Sequence, residues 1–172
     1  NLGLTTTLIG KTITQEQFDL LNDFFNSFID ENKELLNKRS ENGLIKECHG
    51  DLHLANICIY KNKVVPFDCI EFNEDFRFID QFYDIAFLLM DLEHRKETKG
   101  SNIVLNKYLE ITNDFDGITL LNFYKAMRAV IRGNVTSLEL LDPNISDIQK
   151  DKATNTAKEF FLLALSYLEK KK

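Results

Sequence analysis

Oxygen-bearing side chains with a spacing suited to metal and proton chemistry concentrate in the segment 47–59 and shortly after it. Asp51 and Asn56 are five residues apart, and a second carboxylate, Asp68, follows in an apolar segment. Magnesium prefers oxygen ligands, so an amide and a carboxylate can each supply one while phosphates and waters complete the octahedron. A carboxylate that stays off the metal can accept the proton of an attacking hydroxyl. These residue types predict phosphoryl transfer, with Asn56 and Asp68 on magnesium and Asp51 as the proton acceptor.

A short β-hairpin is the element that must bring these side chains together. The apolar runs 57–60 and 64–70 flank the polar turn 61–63, which is the pattern of two antiparallel strands. A hairpin brings a residue near its start close to a residue near its end. We therefore expect Asn56 and Asp68 to form a pair, with Asp51 held apart from them.

The order of these residues resembles a known catalytic loop. Protein-kinase-like folds carry H-x-D-x-x-x-x-N, followed by a metal-binding Asp on the next hairpin. The motif HGDLHLAN at 49–56 resembles the H-G-D form of that loop in aminoglycoside phosphotransferases and choline kinases, and DQFYDIA at 80–86 is similar to that family's D-x-x-x-D-L-A helix. The span 48–93 looks like a bacterial branch of the aminoglycoside phosphotransferase family, although Cys69-Ile70 stands where kinases usually have Phe-Gly.

The resemblance implies a role for each matched residue. Asp51 would be the catalytic base, Asn56 and Asp68 the magnesium ligands, and Asp84 a structural brace for the loop. Asp84 is also flanked by apolar residues, so we expect it to be partly buried and to accept from backbone amides of the loop. The cofactors would be Mg²⁺ and ATP or another nucleoside triphosphate, and the substrate a small molecule with a hydroxyl group. Three further residues of the site are expected to support the loop, line the acceptor pocket and add a carboxylate near the metal: His49, His53 and Glu71, respectively.

The rest of the chain is predicted to be helical. Thr14 and Gln17 form a capping-box pattern, and apolar residues at helical spacing predict a helix over 15–39. Further helices are predicted over 79–95, 102–111 and about 120–138, and a last one from about 146, whose C-terminus the basic residues 169–172 favour. Residues 1–13 show no clear period and are expected to be a lead-in or linker. The fold class is α+β and mainly helical, and we expect 1–172 to be a single domain, the C-terminal lobe of a protein-kinase-like fold.

Composition limits the possible partners and surroundings. The chain has 44% hydrophobic and 28% charged residues with a net charge of −6, which is typical of a globular protein. Nucleic-acid binding requires clustered Lys and Arg, so we expect no nucleic-acid partner. No apolar run approaches the length of a membrane span, so we expect no membrane association and a cytoplasmic location.

The three cysteines allow another interpretation. Cys48, Cys58 and Cys69 lie near the two histidines, and zinc is bound by such side chains. Their spacing does not follow C-x-x-C, so we favour buried, reduced thiols over a zinc site.

A complete kinase-like enzyme also needs a Gly-rich loop over the phosphates and a strand lysine. The seven glycines are too scattered to form such a loop. We therefore expect the N-terminal nucleotide-binding lobe to be absent, and the isolated chain to bind nucleotide weakly and to turn over little substrate.

Two other function classes remain open from the residues alone. A metal-dependent hydrolase could use His49, Asp51 and His53, whose ligand types alternate. A non-catalytic binding module could keep the same fold. The sequence does not distinguish among aminoglycoside, choline, sugar, amino-alcohol and protein acceptors.

Overall fold

The computed structural model describes residues 2–168. Asn1 and residues 169–172, including the basic end expected to favour a helix C-terminus, lie outside the described residues. The fold class is α+β and mainly helical, as predicted, with small two-stranded sheets. The chain forms two compact units: one combines the residues up to Glu31 with those from Lys125 onwards, and the other is Asn32–Tyr124. The expectation of a single domain stays a prediction.

The helices, in chain order, are α1 Leu2–Thr6, α2 Gln15–Glu31, α3 Lys33–Glu41, α4 Glu74–Arg77, α5 Gln81–His94, α6 Thr98–Thr112, α7 Leu121–Leu138 and α8 Asp147–Ser166. The strands are β1 Ile45–Glu47, β2 Ile57–Tyr60, β3 Lys63–Pro66 and β4 Phe78–Asp80. Short 3₁₀ turns cover Leu54–Asn56, Asp116–Leu120 and Glu139–Leu141. No helix within residues 2–168 has both the length and the apolar character needed to cross a membrane.

The unit that contains both ends of the described chain is built around α2 and α8, which pack against each other. Each of these helices begins at a reciprocal cap. Thr14 N–H donates to Gln17 Oε1 (3.0 Å) and Gln17 N–H to Thr14 Oγ1 (3.1 Å), and Ser146 and Gln149 make the same pair of contacts before α8. Both starts were predicted, but only that of α2 from its capping pair, which is a local signal; the Ser146–Gln149 pair is seen in the structure.

Two predictions in this part of the sequence were wrong in detail. The helix predicted over 15–39 is two helices, because the backbone leaves helical values at Asn32 (φ −113°, ψ 16°). The lead-in contains α1, whose single turn is too short to show a period in the sequence. In that turn, the Thr6 hydroxyl donates to Gly3 O (2.7 Å). The buried Thr5 hydroxyl donates to Asn134 Oδ1.

The second unit is organised around α5, which packs on α6. Apolar side chains cover most of α5 and are almost fully buried: Phe82, Ala86, Phe87, Leu89 and Met90. The predicted helix over 79–95 begins two residues later, because Phe78–Asp80 forms β4, which pairs antiparallel with β1. Two three-residue strands from distant parts of the chain leave no periodic signal, so this sheet was missed.

A buried ion cluster joins three elements of this unit. Arg39 is 2% exposed, and its guanidinium donates to both oxygens of Asp80 (2.6 and 2.8 Å) and both of Asp114 (2.6 and 2.7 Å). The Tyr124 hydroxyl donates to Asp80 Oδ2 at 2.9 Å. Asp80 Oδ1 also accepts from Phe82 N at 2.8 Å and so caps α5, which fixes where that helix begins.

The charges of the cluster shift one another's pKa values. Burial alone would lower the pKa of Arg39, but its bonds to Asp80 and Asp114 raise that pKa above the usual range. Burial opposes ionisation of Asp114 as well, yet the hydrogen bond and charge of Arg39 hold the pKa of Asp114 below its usual value. Burial and the neighbouring carboxylates raise the pKa of Tyr124 and of Tyr108.

Candidate functional site

The predicted hairpin is present and positions Asn56 next to the Asp68 segment. β2 and β3 pair antiparallel from Ile57↔Pro66 to Tyr60↔Lys63. The turn is shorter than predicted, because Lys63 belongs to the strand and only Lys61 and Asn62 take positive φ (49° and 60°), as tight hairpin turns require. Beyond the strands, Phe67 N donates to Asn56 O at 2.9 Å. Asn56 therefore lies opposite the residue that precedes Asp68.

Asn56 and Asp51 are hydrogen-bonded to each other, so the expectation that Asp51 is held apart from Asn56 was wrong. The buried Asn56 side chain donates through Nδ2 to the backbone oxygen of Asp51 (3.0 Å) and to Asp51 Oδ2 (3.1 Å). His53 is also buried, with its Nε2 3.3 Å from the same Asp51 oxygen and its ring edge against Phe87. Two side chains thus set the orientation of the Asp51 carboxylate, which keeps 39% of its surface exposed.

Asp68 faces the same space as Asp51. The two residues line a cavity of about 560 Å³, together with Glu71 and residues between 68 and 72. Asp68 is exposed and has a left-handed backbone (φ +59°), which is uncommon outside glycine but tolerated by Asp. Strained backbone of this kind occurs at functional sites, where the surrounding structure holds it in place.

His49 connects the Asp51 loop to the Asp68 segment. Its Nε2 donates to Phe67 O at 2.8 Å, and its Nδ1 accepts from Asp51 N at 3.4 Å. Its backbone oxygen accepts from Ile70 N at 3.0 Å. Because its two ring nitrogens contact Asp51 N and the backbone oxygen of Phe67, which precedes Asp68, His49 links the positions of Asp51 and Asp68.

Asp84 holds the start of the loop from α5. Its buried carboxylate accepts from His49 N and Gly50 N, both at 3.0 Å, so the expected burial and loop contacts are confirmed. Gly50 has φ +82°, and a Cβ there would lie 2.8 Å from Phe76 O. A larger residue would therefore push the loop off Asp84.

Sequence reasoning missed Asp91, which contacts the other end of the loop. Asp91 is buried on α5, and its Oδ2 accepts from Leu54 N at 2.9 Å. The available signal was an aspartate directly after the apolar run 85–90, two helical turns after Asp84 and hence on the same face. The Arg39 cluster was also missed, because its members are far apart in the sequence.

The donor set fits magnesium better than zinc. Magnesium is usually bound by one or two protein oxygens together with phosphates and waters, and Asn56 and Asp68 each carry a side-chain oxygen of that kind. Among residues 2–168, no three or more His, Cys, Asp and Glu side chains are arranged to hold a metal ion.

The expected burial of the thiols was wrong, since Cys58 and Cys69 are exposed and Cys48 is half-buried.

Similar proteins share most of the chain but do not supply a function. No protein-family model matches the sequence, and no solved structure matches it. Uncharacterised proteins of Mycobacterium bovis and of two strains of Mycobacterium tuberculosis are 29% identical over 125 residues, which is 73% of this chain and 25% of each relative. The chain thus spans about a quarter of the length of the curated relatives that it matches.

Proposed function

We propose that this chain is the catalytic lobe of an ATP- and Mg²⁺-dependent small-molecule O-phosphotransferase with a protein-kinase-like fold. The observation that carries the proposal is that Asp51 and Asp68 line one cavity, while Asn56 is bonded to Asp51 and lies opposite the residue before Asp68. The resemblance of residues 48–93 to aminoglycoside phosphotransferases supports the same conclusion.

Asp51 has the position of a proton acceptor. One of its oxygens takes the contacts from Asn56 and His53, which hold the carboxylate in one orientation. A substrate hydroxyl in the cavity would be hydrogen-bonded to Asp51 and oriented for attack on the terminal phosphorus of the nucleotide. Its proton would pass to Asp51 as the new O–P bond forms and the bond to the departing nucleoside diphosphate breaks.

Asn56 and Asp68 are the residues that would hold Mg²⁺. Because Asn56 Nδ2 donates to Asp51, the carbonyl oxygen of that amide is the atom suited to a cation. Bound magnesium supplies charge neutralisation for the nucleotide phosphates. Glu71 lines the same cavity and adds negative charge that strengthens the attraction for a cation.

The hydrolase interpretation has less support. It needs ring nitrogens of both His49 and His53 on one metal ion. The Nε2 of His49 donates to a backbone oxygen and its Nδ1 accepts from a backbone amide, so both nitrogens already have structural partners. These contacts favour a supporting role for His49 in the loop over a role as a metal ligand.

Phosphoryl transfer is tested in the longer protein that supplies a nucleotide-binding lobe, with labelled ATP and a panel of hydroxyl compounds. Asp68→Ala is expected to abolish Mg²⁺-dependent transfer, and Asp51→Asn to reduce kcat by about 10²–10⁴-fold. Asp75→Asn, an exposed carboxylate outside the cavity, is the matched control. Unchanged turnover by Asp68→Ala would refute its role as a metal ligand.

The isolated chain should show little of this activity. The scattered glycines form no Gly-rich loop, which leaves the chain without the usual grip on the nucleotide phosphates. Robust Mg²⁺-dependent ATP consumption by the 172-residue chain, abolished by Asp51→Asn, would contradict that expectation while supporting the chemistry.

A further inference from the structure

We infer that Asp91 is a positioning residue that sets the place of Asn56 in the candidate site. The importance of this role for metal binding rests on the proposed function, whereas the hydrogen bond between Leu54 and Asp91 does not depend on it. Asp91 is 5% exposed, and its Oδ2 accepts from Leu54 N at 2.9 Å. Leu54 opens the 3₁₀ turn that ends at Asn56.

The turn has no cap of its own. The first N–H groups of any helical turn lack an internal partner and need an acceptor from elsewhere. His53 occupies the capping position but makes no side-chain cap bond, because its ring is directed to Asp51 and Phe87. The carboxylate of Asp91 takes over the capping function from a different element.

The position of the turn determines the position of Asn56. Asn56 N donates to His53 O at 2.9 Å, which closes the turn, and Asn56 Nδ2 then reaches Asp51. If Leu54 loses its acceptor, the turn loses its bond to α5, and we expect the amide of Asn56 to shift relative to both Asp51 and the Asp68 segment.

Asp91 and Asp84 together grip both ends of the loop from one rigid helix. Asp84 accepts from the two amides just before Asp51, and Asp91 accepts from the amide three residues after it. Arg95, the residue directly after α5, has its Nε 3.6 Å from Asp91 Oδ2 and supplies positive charge for this buried carboxylate. The loop is thus aligned with α5 at two points instead of one.

At other metal sites, hydrogen-bonded neighbours hold the metal ligands in place, and loss of such a neighbour typically weakens metal binding by about 10–100-fold. Asp91 acts one step further back, through the backbone of the ligand's own turn. We expect Asp91→Ala to weaken metal binding by about 10-fold and Asp91→Asn, which keeps an acceptor oxygen, to weaken it less.

The test compares Asp91→Ala, Asp91→Asn and Glu93→Gln by NMR of the 172-residue chain without metal and then with Mn²⁺. Glu93 is the matched control, since it lies on the same helix and bonds to Ser101 on α6. In Asp91→Ala we expect amide exchange of Leu54 to be at least about 10-fold faster, and the side-chain amide signals of Asn56 to shift. Glu93→Gln should leave both readouts at their wild-type values.

The inference is overturned if Asp91→Ala lowers Tm while the Leu54 exchange rate and the Asn56 side-chain signals stay at wild-type values, because Asp91 would then be merely structural. Should Asp91→Ala not fold, the same two readouts in Asp91→Asn decide the question. Failure of Mn²⁺ to bind the wild-type chain near Asn56 would count against the proposed function alone, since the metal-free readouts still test Asp91.

Discussion

Two groups of charged residues in the unit Asn32–Tyr124 show opposite uses of charge. In the ion cluster, both Asp80 and Asp114 are buried, and each accepts two hydrogen bonds from Arg39. In the candidate site, Asp51 and Asp68 line a cavity instead. The charges of the first group stabilise the fold, whereas the carboxylates of the second group are accessible to a cation or a substrate.

The two groups are connected through α5. Asp80 caps the first turn of α5, and Asp84 in the same turn accepts from the amides next to Asp51. The ion cluster thus fixes the start of α5, and α5 in turn holds the loop of the candidate site. This arrangement predicts that substitutions in the cluster reduce stability, while substitutions of the cavity carboxylates reduce binding without destabilising the fold.

The largest effect on stability is expected from Arg39→Met. Removing one partner from a buried charge network leaves carboxylates buried without compensation, which costs about 3–5 kcal/mol. Urea unfolding followed by circular dichroism measures the loss. Lys38→Met is the control, because Lys38 is exposed and only 4.0 Å from an exposed Asp116, and it should change stability by less than about 0.5 kcal/mol. Equal losses in the two variants would remove the distinction between the cluster and the surface.

Asp114→Asn should lower the free energy of unfolding by less, about 2 kcal/mol at neutral pH. The substitution weakens the hydrogen bonds that Arg39 makes to this position, while those to Asp80 remain. The pKa of Asp114 is lower in the folded state than its ordinary value of 3.8, so the unfolded chain binds the proton more readily. The stability due to Asp114 is therefore present above about pH 4 and is lost as the pH falls further.

Unfolding free energies measured from pH 7 down to acid should show a smaller decline in Asp114→Asn than in wild type. Asp116→Asn, whose side chain is 73% exposed, should keep the wild-type slope. The assignment would be wrong if both variants kept that slope.

Tyr124→Phe should have a smaller effect, about 1.5 kcal/mol, because it removes one hydrogen bond to a carboxylate. Burial, the Asp80 charge and that bond raise the pKa of Tyr124 above its ordinary value of 10.0. The stability it contributes is present below about pH 10 and is lost as the pH rises through the folded-state pKa. Alkaline unfolding should be less steep in Tyr124→Phe, whereas Tyr60→Phe, an exposed control, should match wild type.

The smallest effect on stability is expected from Asp51→Asn and Asp68→Asn. Both side chains border the cavity, and Asn tolerates the left-handed backbone of Asp68 nearly as well as Asp does. We expect changes within about 0.5 kcal/mol in either direction. A loss of 2 kcal/mol or more in the same urea experiment would show that these carboxylates stabilise the fold as the cluster does.

The parts that could be predicted from the sequence were those with local signals. The hairpin follows from two apolar runs around a polar turn, and the start of α2 follows from a capping pair. The burial of Asp84 and its loop contacts were also predicted, because a carboxylate among apolar neighbours needs donors.

The remaining parts depend on contacts between distant residues. Arg39 meets Asp80 and Asp114 across intervals of 41 and 75 residues, and Asp91 meets Leu54 across 37. No spacing rule connects such positions, since their proximity depends on how the elements pack. The break at Asn32 and the short β1–β4 sheet were missed because each involves too few residues to show a period.

The central claim is that Asp51, Asn56 and Asp68 form one cation-binding, proton-accepting site, and Mn²⁺ titration of the isotopically labelled chain tests it most directly. The account predicts that low Mn²⁺ broadens the Asn56 side-chain amide and the backbone amides of residues 68–69 first, that excess Mg²⁺ reverses the broadening, and that Asp68→Asn removes it. Broadening that begins at other acidic residues, or that persists unchanged in Asp68→Asn, would contradict the account.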